Sequence, residues 1–311
     1  MSTTPSSSRG THQALPDPRN ENVLVWIDGE LLPRDQAKVS VFDSAFLVGD
    51  GVWEGLRLVN GRLAHLDRHL DRLFQGAAAI GLTIGKSRDE LHAALRETVD
   101  ANGMTDGCHL RLMVSRGVKK TPSQDPRLVT SGPTIVIIAE HKQADPDVTN
   151  AGVRLATSAT RRPPPDTLDP KLNCHSKLHE VVALVQAIHA GADEALMLDP
   201  RGFVATCNAT NFFVVRRGEV WTSTGQYCMN GITRALVLEI ARDLGVPARE
   251  RDFSLTEVYD ADEAFVTGTF GGLTPVTEVD GRVIGGGPVP GPVTARLSAR
   301  YRELMAAEGA A

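Results

Sequence analysis

The chain has 311 residues and a formal net charge of −5, with 41% hydrophobic and 23% charged residues. This is the composition of a globular protein with room for two domains of ordinary size. The negative charge gives no reason to expect nucleic acid or an anionic membrane as a partner. No apolar run reaches the roughly 18–20 residues that a membrane span requires. We therefore expect a chain that neither binds nucleic acid nor crosses a membrane.

The N-terminal segment and the cysteines indicate the compartment. Residues 1–21 are rich in Ser, Thr and Pro and lack a basic start and an apolar stretch, so they predict a disordered tail rather than a secretory signal. Cys108, Cys174, Cys207 and Cys228 are too few and too scattered for a disulfide scaffold. A reducing cytoplasm is the simplest location.

The first half of the chain predicts a small α/β domain over residues 22–141. Residues 23–32 predict a strand with a turn, and a stripe of leucines three or four residues apart predicts the helix that follows. Two apolar runs, residues 109–114 and 134–139, predict buried strands. Residues 142–150 are polar with little to pack, which is typical of an interdomain linker.

The second half predicts a larger domain over residues 151–311, in which short strands and helices are mixed. A helix is expected at about residues 177–190, and another runs from Thr233 to Leu244 before Gly245. The apolar face of the first of these helices consists of Leu178, Val181, Val182, Val185 and Ile188. Meandering strands with interspersed helices favour an α+β fold over a doubly wound sheet.

Two glycine-containing segments have the features of an anion site. Residues 230–234, with the sequence NGITR, open the Thr233 helix, whose free N–H groups and positive dipole end attract anions. Residues 267–272, with the sequence TGTFGG, place the Thr269 hydroxyl among glycines that allow close backbone approach. Spacing alone is equally compatible with two glycine turns that hold no ligand.

The order of the motifs resembles a known family. The segments GITRALVLEIARDLG, DEAFVTGTFGGLTPVTEVDGR and GPVTARL resemble the C-terminal half of branched-chain, D-amino-acid and (R)-amine transaminases, which are fold-type IV pyridoxal-phosphate (PLP) aminotransferases. FDSAFLVGDGVWEGLR and HLDRHLDRL extend the resemblance to roughly residues 23–305. The resemblance implies a two-domain α+β fold, PLP as cofactor, a homodimer, and a small amine, amino acid or keto acid as substrate.

The resemblance also assigns roles to individual residues. Arg72, Ile232, Thr233 and Thr269 would hold the cofactor phosphate, Thr206 would face the ring nitrogen, and Phe46, Val48, Trp53 and Gly271 would line the substrate pocket. The guanidinium of Arg72 suits phosphate because it is always charged and bonds it bidentately. Spacing alone favours a surface arginine paired with Asp67 or Asp71, and core positions for Phe46, Val48 and Trp53.

Two catalytic positions depart from the family pattern. The family's lysine bonds covalently to the cofactor and then moves a proton, and its position here is Asn173 in LDPKLNCHSKL. The family's acidic partner of the ring nitrogen corresponds to Thr206, and the interval of 33 residues between the two positions matches the family. An amide cannot form a Schiff base or act as a base near neutral pH. Thr206 could still bond the ring nitrogen but would leave it unprotonated.

Two lysines nearby could supply the missing amine. Lys177 follows Asn173 by one helical turn, and Lys171 precedes it by two residues in an extended stretch. The alternative is a lysine-less relative that no longer transaminates. Such a protein either catalyses other chemistry, through Asn173, Cys174 or His175, or only binds a phosphorylated ligand.

Smaller signals do not establish further sites. His175 and His179 are four residues apart beside Cys174, but no H-E-x-x-H or paired-cysteine pattern supports a metal, so we expect none. Cys174 and Cys207 each follow a substituted position, and both fit ordinary buried cysteines. Arg116 resembles a segment near the family's substrate end, although a turn or surface position explains it as well.

Overall fold

The structure, a computed structural model, describes residues 10–308, and the chain divides into two compact units. The small unit comprises Leu15–Gln143, Leu172–Lys177 and residues 305–308. The large unit comprises residues 10–14, Ala144–Lys171 and Leu178–Leu304. Each unit combines helices with a β-sheet, which confirms the predicted α+β class. Within the described part of the chain, no helix combines the length and the hydropathy that crossing a bilayer requires.

The small unit contains a six-stranded antiparallel sheet in the order β2-β1-β6-β5-β3-β4. Its strands are β1 (Leu24–Ile27), β2 (Glu30–Pro33), β3 (Gly51–Val59), β4 (Arg62–Leu63), β5 (Cys108–Ser115) and β6 (Thr134–His141). Its helices are α1 (Ser44–Val48), α2 (Leu66–Ala79) and α3 (Arg88–Ala101), with 3₁₀ turns at Pro18–Asn22 and Pro126–Leu128.

The core of the small unit lies between one face of this sheet and the helices α2 and α3. Leu70 of α2 and Leu95 of α3 pack in one cluster with Leu56 of β3 and Leu110 of β5. Successive strand residues point to opposite faces, so every second residue of β3 enters this core. Glu54 is the charged member of that buried set and is fully inaccessible to solvent.

The large unit contains a nine-stranded sheet in the order β12-β11-β10-β13-β14-β7-β8-β9, with β15 paired to β14. Its strands are β7 (Val153–Thr157), β8 (Glu194–Leu198), β9 (Val204–Cys207), β10 (Asn211–Arg216), β11 (Glu219–Thr222), β12 (Ala248–Glu250), β13 (Glu263–Gly268), β14 (Gly272–Val279) and β15 (Arg282–Val283). Its helices are α4 (Pro146–Ala151), α5 (Pro165–Leu168), α6 (Leu178–His189), α7 (Ile232–Asp243), α8 (Leu255–Tyr259) and α9 (Pro292–Glu308).

The structure differs from the predicted tail and linker. Residues 1–9 lie outside the described residues, but Thr11 is buried, and its backbone N–H donates to a Glu194 carboxylate oxygen at 3.0 Å. The segment predicted as a linker, residues 142–150, contains most of α4, and Val148 is buried in the core of the large unit. Composition alone missed both segments because one or two buried contacts are enough to order a polar stretch.

Helix α6 presents its apolar face to solvent rather than to the core. The small residues Ala183 and Ala187 are buried and pack with Met197 of β8. The larger apolar residues are exposed, namely Leu178, Val181, Val182, Val185 and Ile188. A continuous exposed apolar stripe of this kind commonly marks a contact surface.

Candidate active site

The segment containing Asn173 runs antiparallel beside β3. The Trp53 N–H donates to the Asn173 carbonyl at 2.9 Å, and the His175 N–H donates to the Gly51 carbonyl at 3.0 Å. Between them, Cys174 and Val52 form an antiparallel bridge. These backbone bonds fix residues 173–175 as a short extended segment within the small unit.

The Asn173 side chain is buried, with 5% of its surface exposed, and only one end of its amide has a partner. Its Nδ2 donates to the Trp53 carbonyl at 2.7 Å. Its Oδ1 is buried and accepts no hydrogen bond within the described residues. An unsatisfied buried acceptor costs about 1–3 kcal/mol, so such atoms in folded proteins often mark a ligand or water site.

The geometric arguments for both replacement lysines are wrong. Lys177 does not lie one helical turn beyond Asn173, because residues 172–177 are not helical and α6 begins at Leu178. Lys171 is exposed and lies in a turn rather than in an extended stretch, where its N–H donates to Asp169 Oδ1 at 3.0 Å. Neither lysine is therefore placed beside Asn173 by the periodicity of a regular element.

Lys177 instead lies over the indole of Trp53, one of the predicted pocket residues. Its Nζ is 6.0 Å from the ring centroid, and the Arg111 guanidinium is 3.9 Å from the same ring. The indole Nε1 donates to the Cys174 carbonyl at 3.1 Å, which fixes the ring plane. The sequence did not point to Arg111 as a pocket residue. Strand alternation shows only that its side chain lies on the same face of β5 as that of His109.

His175 is the histidine closest in sequence to Asn173. Its Nε2 lies 3.1 Å from the Val52 carbonyl, which can only accept, so Nε2 carries the proton. Burial lowers the pKa of the imidazole, and the hydrogen bond to Val52 partly opposes that shift. A neutral His175 with Nε2 protonated has Nδ1 as an acceptor.

Arg72 belongs to a buried charge cluster rather than to the solvent-exposed helix surface. Its Nε and Nη2 donate to the two carboxylate oxygens of Glu54, each at 2.7 Å. His69 Nδ1 lies 2.7 Å from Glu54 Oε2. Although burial acts to raise the pKa of Glu54, the bonds from Arg72 and His69 lower it overall. Spacing favoured Asp67 or Asp71 as the partner of Arg72; in the structure Glu54 accepts from the guanidinium, and Asp71 pairs with Arg88.

Thr206 lies in β9, which pairs with β8, just before the turn that leads to β10 in the large unit. It is buried, and its hydroxyl donates to the Thr210 carbonyl at 2.8 Å. Asn211 Nδ2 approaches the same hydroxyl oxygen at 3.5 Å and donates to the Met229 carbonyl at 3.0 Å. Thr206 is therefore held by one donated and one accepted hydrogen bond within the large unit.

Helix α7 begins at a turn that a side chain at residue 231 would obstruct. The N-cap is Gly231, and Ala235 makes the first backbone bond inside the helix, to the Gly231 carbonyl at 2.9 Å. The preceding N–H groups, those of Ile232, Thr233 and Arg234, therefore have no intrahelical partner and suit an anion. Thr233 is buried at this end of the helix.

The second glycine segment is the hairpin between β13 and β14. Gly268 pairs with Gly272, so Thr269, Phe270 and Gly271 form its three-residue loop. Thr267 directly precedes Gly268 in β13. Its hydroxyl is buried and has no hydrogen-bond partner within residues 10–308. Thr267 pairs across the strands with Asn211, so the hairpin and the Thr206 turn belong to neighbouring strands of one sheet.

Residues 10–14 lie against this hairpin. A methyl group at Gly271 would contact the Thr11 carbonyl at 3.3 Å, and the His12 and Phe270 ring centroids are 6.4 Å apart. Glu194 holds the segment by accepting from the Thr11 backbone N–H and hydroxyl and from the Thr210 hydroxyl. No local sequence pattern indicated this contact, because Thr11 and Glu194 are 183 residues apart.

Other predicted residues have structural surroundings of their own. Phe46 and Val48 of α1 are 71% and 40% exposed, so they are not core residues of the small unit. Arg116 donates bidentately to Asp50 at 2.7 and 3.0 Å. Burial raises the pKa of the Cys207 thiol, and the nearby Glu194 carboxylate adds to that shift. No group of three His, Cys, Asp or Glu residues in the described chain could hold a metal ion.

We expect Gly231→Ala to disrupt the turn before α7. The added methyl group would overlap Asn211 Oδ1, so the turn must shift, at a cost of about 1–3 kcal/mol in the free energy of unfolding. Urea denaturation measures this loss. Gly287→Ala is the matched control, because a methyl group there meets open space, and it should change stability by less than about 1 kcal/mol. Equal effects of the two substitutions would contradict the close approach.

Comparison with known proteins identifies the family. A sequence profile described as amino-transferase class IV matches residues 51–279. The chain is 43% identical over 296 residues to branched-chain-amino-acid aminotransferase-like protein 2 of Arabidopsis thaliana, a match that covers 95% of this chain but only 53% of that relative. It thus spans about half the length of that protein. It is 37% identical over 281 residues to the putative branched-chain-amino-acid aminotransferase of Methanocaldococcus jannaschii, covering 90% of this chain and 96% of that protein.

The fold matches that of solved aminotransferases. The branched-chain aminotransferase of the thermophilic archaeon Thermoproteus uzoniensis, solved with norvaline, superposes with a TM-score of 0.83 at 33% identity. The match covers 92% of this chain and 96% of that chain. This agreement confirms the predicted fold-type IV architecture. The chain therefore belongs to the class IV aminotransferase family.

Proposed function

We propose that the protein binds pyridoxal 5′-phosphate through the phosphate and acts as an aminotransferase-like enzyme on a small amine, amino acid or keto acid. The observation that carries the proposal is the pair of anion-binding elements in the large unit. The Thr269 hairpin joins β13 and β14 of the large sheet, and α7, which provides the free N–H groups, packs against β13. The names of the relatives support amino acids and keto acids as the substrate class.

The donor set fits the phosphate end of this cofactor. The backbone N–H groups of Ile232 and Thr233 and the hydroxyls of Thr233 and Thr269 would bind the phosphate oxygens. We also propose that Arg72, which the resemblance assigns to the phosphate, contributes its positive charge; its Nε and Nη2 are already bonded to Glu54. When bound, the cofactor supplies an electron-withdrawing ring that stabilises negative charge on the amino carbon of the substrate.

The donor set does not fit covalent attachment at residue 173. The Asn173 amide holds the Trp53 carbonyl and cannot carry a proton to or from carbon. We propose Lys177 as the amine that takes this role, because it lies beside the Trp53 ring that we assign to the substrate pocket together with Phe46, Val48 and Gly271. His175, held neutral by burial, is the other group that could move a proton.

A second function is favoured by the Asn173 geometry itself. A buried amide fixed to a backbone carbonyl is a stable replacement rather than a loosely held side chain. It supports a relative that has left transamination and binds a phosphorylated ligand, or acts on one through other groups. Both functions share the phosphate site and differ in whether an amine of the protein reacts.

The absorbance spectrum of the purified protein with added PLP separates the two functions. Transamination through Lys177 predicts a visible band and, after borohydride reduction and peptide mapping, a pyridoxyl group on Lys177. Binding that inorganic phosphate displaces, without an adduct, supports the second function. Thr233→Val should weaken binding about 10-fold or more, and the exposed Thr121→Val serves as control. Absence of both phosphate-sensitive binding and amino-donor-dependent turnover would refute the proposal.

We further propose that the protein is a homodimer in the cytoplasm. The exposed apolar stripe of α6 supports self-association, and the four cysteines are all free and buried, as in a reducing compartment. Light scattering is expected to give twice the mass of one chain, and Val181→Glu should shift it toward the monomer. His189→Glu at the end of the same helix should not. A monomeric wild-type protein would contradict the dimer.

A further inference from the structure

Asn211 is a buried polar residue of the large unit to which the proposed function gives no role. It is the first residue of β10, is 6% exposed, and is fixed by the pairing of β10 with β13. Its Nδ2 donates to the Met229 carbonyl at 3.0 Å. Because a carbonyl can only accept, this bond also identifies which end of the amide is the nitrogen. Asn211 therefore ties the loop before α7 to the large sheet.

The oxygen end of the same amide accounts for the glycine at residue 231. The backbone of Gly231 has φ −65° and ψ 141°, which any residue can adopt. A methyl group there would nevertheless overlap Asn211 Oδ1. The glycine is thus required by the close approach of the amide and not by the conformation of the turn. The two ends of Asn211 contact Met229 and Gly231, directly before the free N–H groups of α7.

A second buried polar group on the same face of the sheet has no partner. Thr267 of β13 lies directly opposite Asn211, and the side chains of such a cross-strand pair lie on the same face. The Thr267 hydroxyl is buried and makes no hydrogen bond within the described part of the chain. Helix α7 packs against β13. The sheet therefore carries an unused hydroxyl beside Asn211, on the side where Asn211 meets the start of α7.

These contacts give Asn211 a role in the proposed phosphate site. Free N–H groups bind an anion more tightly when their directions are fixed beforehand, because less conformational freedom is lost on binding. Resting on the proposed function, we infer that Asn211 is a positioning residue of that site. It holds Met229 and Gly231 so that the N–H groups of Ile232 and Thr233 point at the phosphate, and it acts without touching the ligand itself.

Isothermal titration calorimetry with the full chain tests this role without relying on turnover. The probes are pyridoxamine 5′-phosphate and pyridoxamine, which differ only in the phosphate and form no Schiff base with a lysine. The ratio of their affinities, with pyridoxamine measured by competition, reports the contribution of the phosphate. Asn211→Ala should reduce this ratio about 10-fold and change the affinity for pyridoxamine less than about 2-fold. Asn211→Asp, which keeps the size of the side chain, serves if the smaller variant does not fold.

A double-mutant cycle with Gly231 tests how Asn211 acts. Gly231→Ala should also lower the affinity ratio, because its methyl group would displace Asn211 Oδ1. Asn211→Ala removes that oxygen, so the two substitutions together should lower the ratio little more than either one alone. Losses that multiply in the double variant would show that the two residues act independently, contrary to the inference.

Asn208→Ala is the matched control for the loss of a buried amide bond. Asn208 lies in the turn before β10, and its Oδ1 accepts from the Ala195 N–H at 2.8 Å, so it holds β8 rather than the loop before α7. Its removal should leave the affinity ratio unchanged. An unchanged ratio in Asn211→Ala, or equal weakening of both ligands, would overturn the positioning role and leave the proposed function standing. Equal binding of the two ligands by the wild-type protein would remove the phosphate site on which both proposals rest.

Discussion

Asn173→Lys is expected to give the protein a covalent bond to pyridoxal 5′-phosphate and a visible absorption band. The substitution places a primary amine at the position that the resemblance assigns to the family's lysine. A positioned acid–base group contributes about 10²–10⁴-fold to a rate, so amino transfer should rise by this order.

The measurement is the spectrum with PLP, followed by borohydride reduction, peptide mapping and single-turnover assays with amino donors. Asn173→Met is the matched control, because it has similar length and no amine. Lys177→Met tests the competing assignment. It should abolish any activity of the wild-type protein if Lys177 supplies the amine, and it should have little effect in the Asn173→Lys background. A pyridoxyl group that stays on Lys177 in the Asn173→Lys protein would contradict the assignment of residue 173 as the position of the reactive amine.

The extra volume of the new side chain sets a limit on this experiment. Residue 173 is 5% exposed, so the longer side chain must find space at a cost of about 1–3 kcal/mol in stability. The Asn173→Met control incurs the same cost. A difference between the two variants in spectrum or rate therefore reports the amine and not the packing.

Local sequence signals predicted the elements that surround the phosphate motifs. The apolar period places α7, observed as Ile232–Asp243, within a residue of the expected helix, because propensity and the glycines at both ends agree. The buried strands expected at residues 109–114 and 134–139 are likewise observed, as Cys108–Ser115 and Thr134–His141. Such elements are determined by their own residues.

The direction in which a helix faces was not predictable in the same way. The stripe on α6 was expected as a packing face, but Ala183 and Ala187 on the other side pack with Met197. Small residues let a helix approach a sheet closely, and this competes with burial of the larger residues. Periodicity shows that a helix is amphipathic but does not tell whether its apolar side meets its own core or a partner.

The surroundings of Asn173 depend on contacts between distant parts of the chain. Its amide bonds the Trp53 carbonyl, which lies 120 residues away in the sequence. The pairing with β3 keeps residues 173–175 extended, although the sequence had placed Lys177 one helical turn after Asn173. The Arg72 cluster depends similarly on Glu54, a charged residue at a buried position of β3. Sequence reasoning identified Asn173 and Arg72 by their motifs, but their partners follow only from the sheet register.

Glu54→Gln is expected to lower the free energy of unfolding by about 3 kcal/mol. The carboxylate is fully buried and accepts from both Arg72 and His69, so the substitution removes the buried charge that balances the guanidinium, which is 14% exposed. The matched control is Asp71→Asn, which removes a carboxylate that is 66% exposed and pairs with Arg88. That surface pair should contribute less than about 1 kcal/mol.

The same cluster predicts how stability changes in acid. The folded-state pKa of Glu54 lies below its ordinary value of 4.5, because the bonds from Arg72 and His69 outweigh burial. The stabilisation is therefore complete above about pH 4.5 and is lost as the pH falls through the lower folded-state pKa. Urea denaturation at a series of pH values between about 7 and 3 should show a steeper loss for the wild-type protein than for Glu54→Gln. Parallel pH profiles would show that the Glu54 carboxylate does not provide this pH-dependent stabilisation.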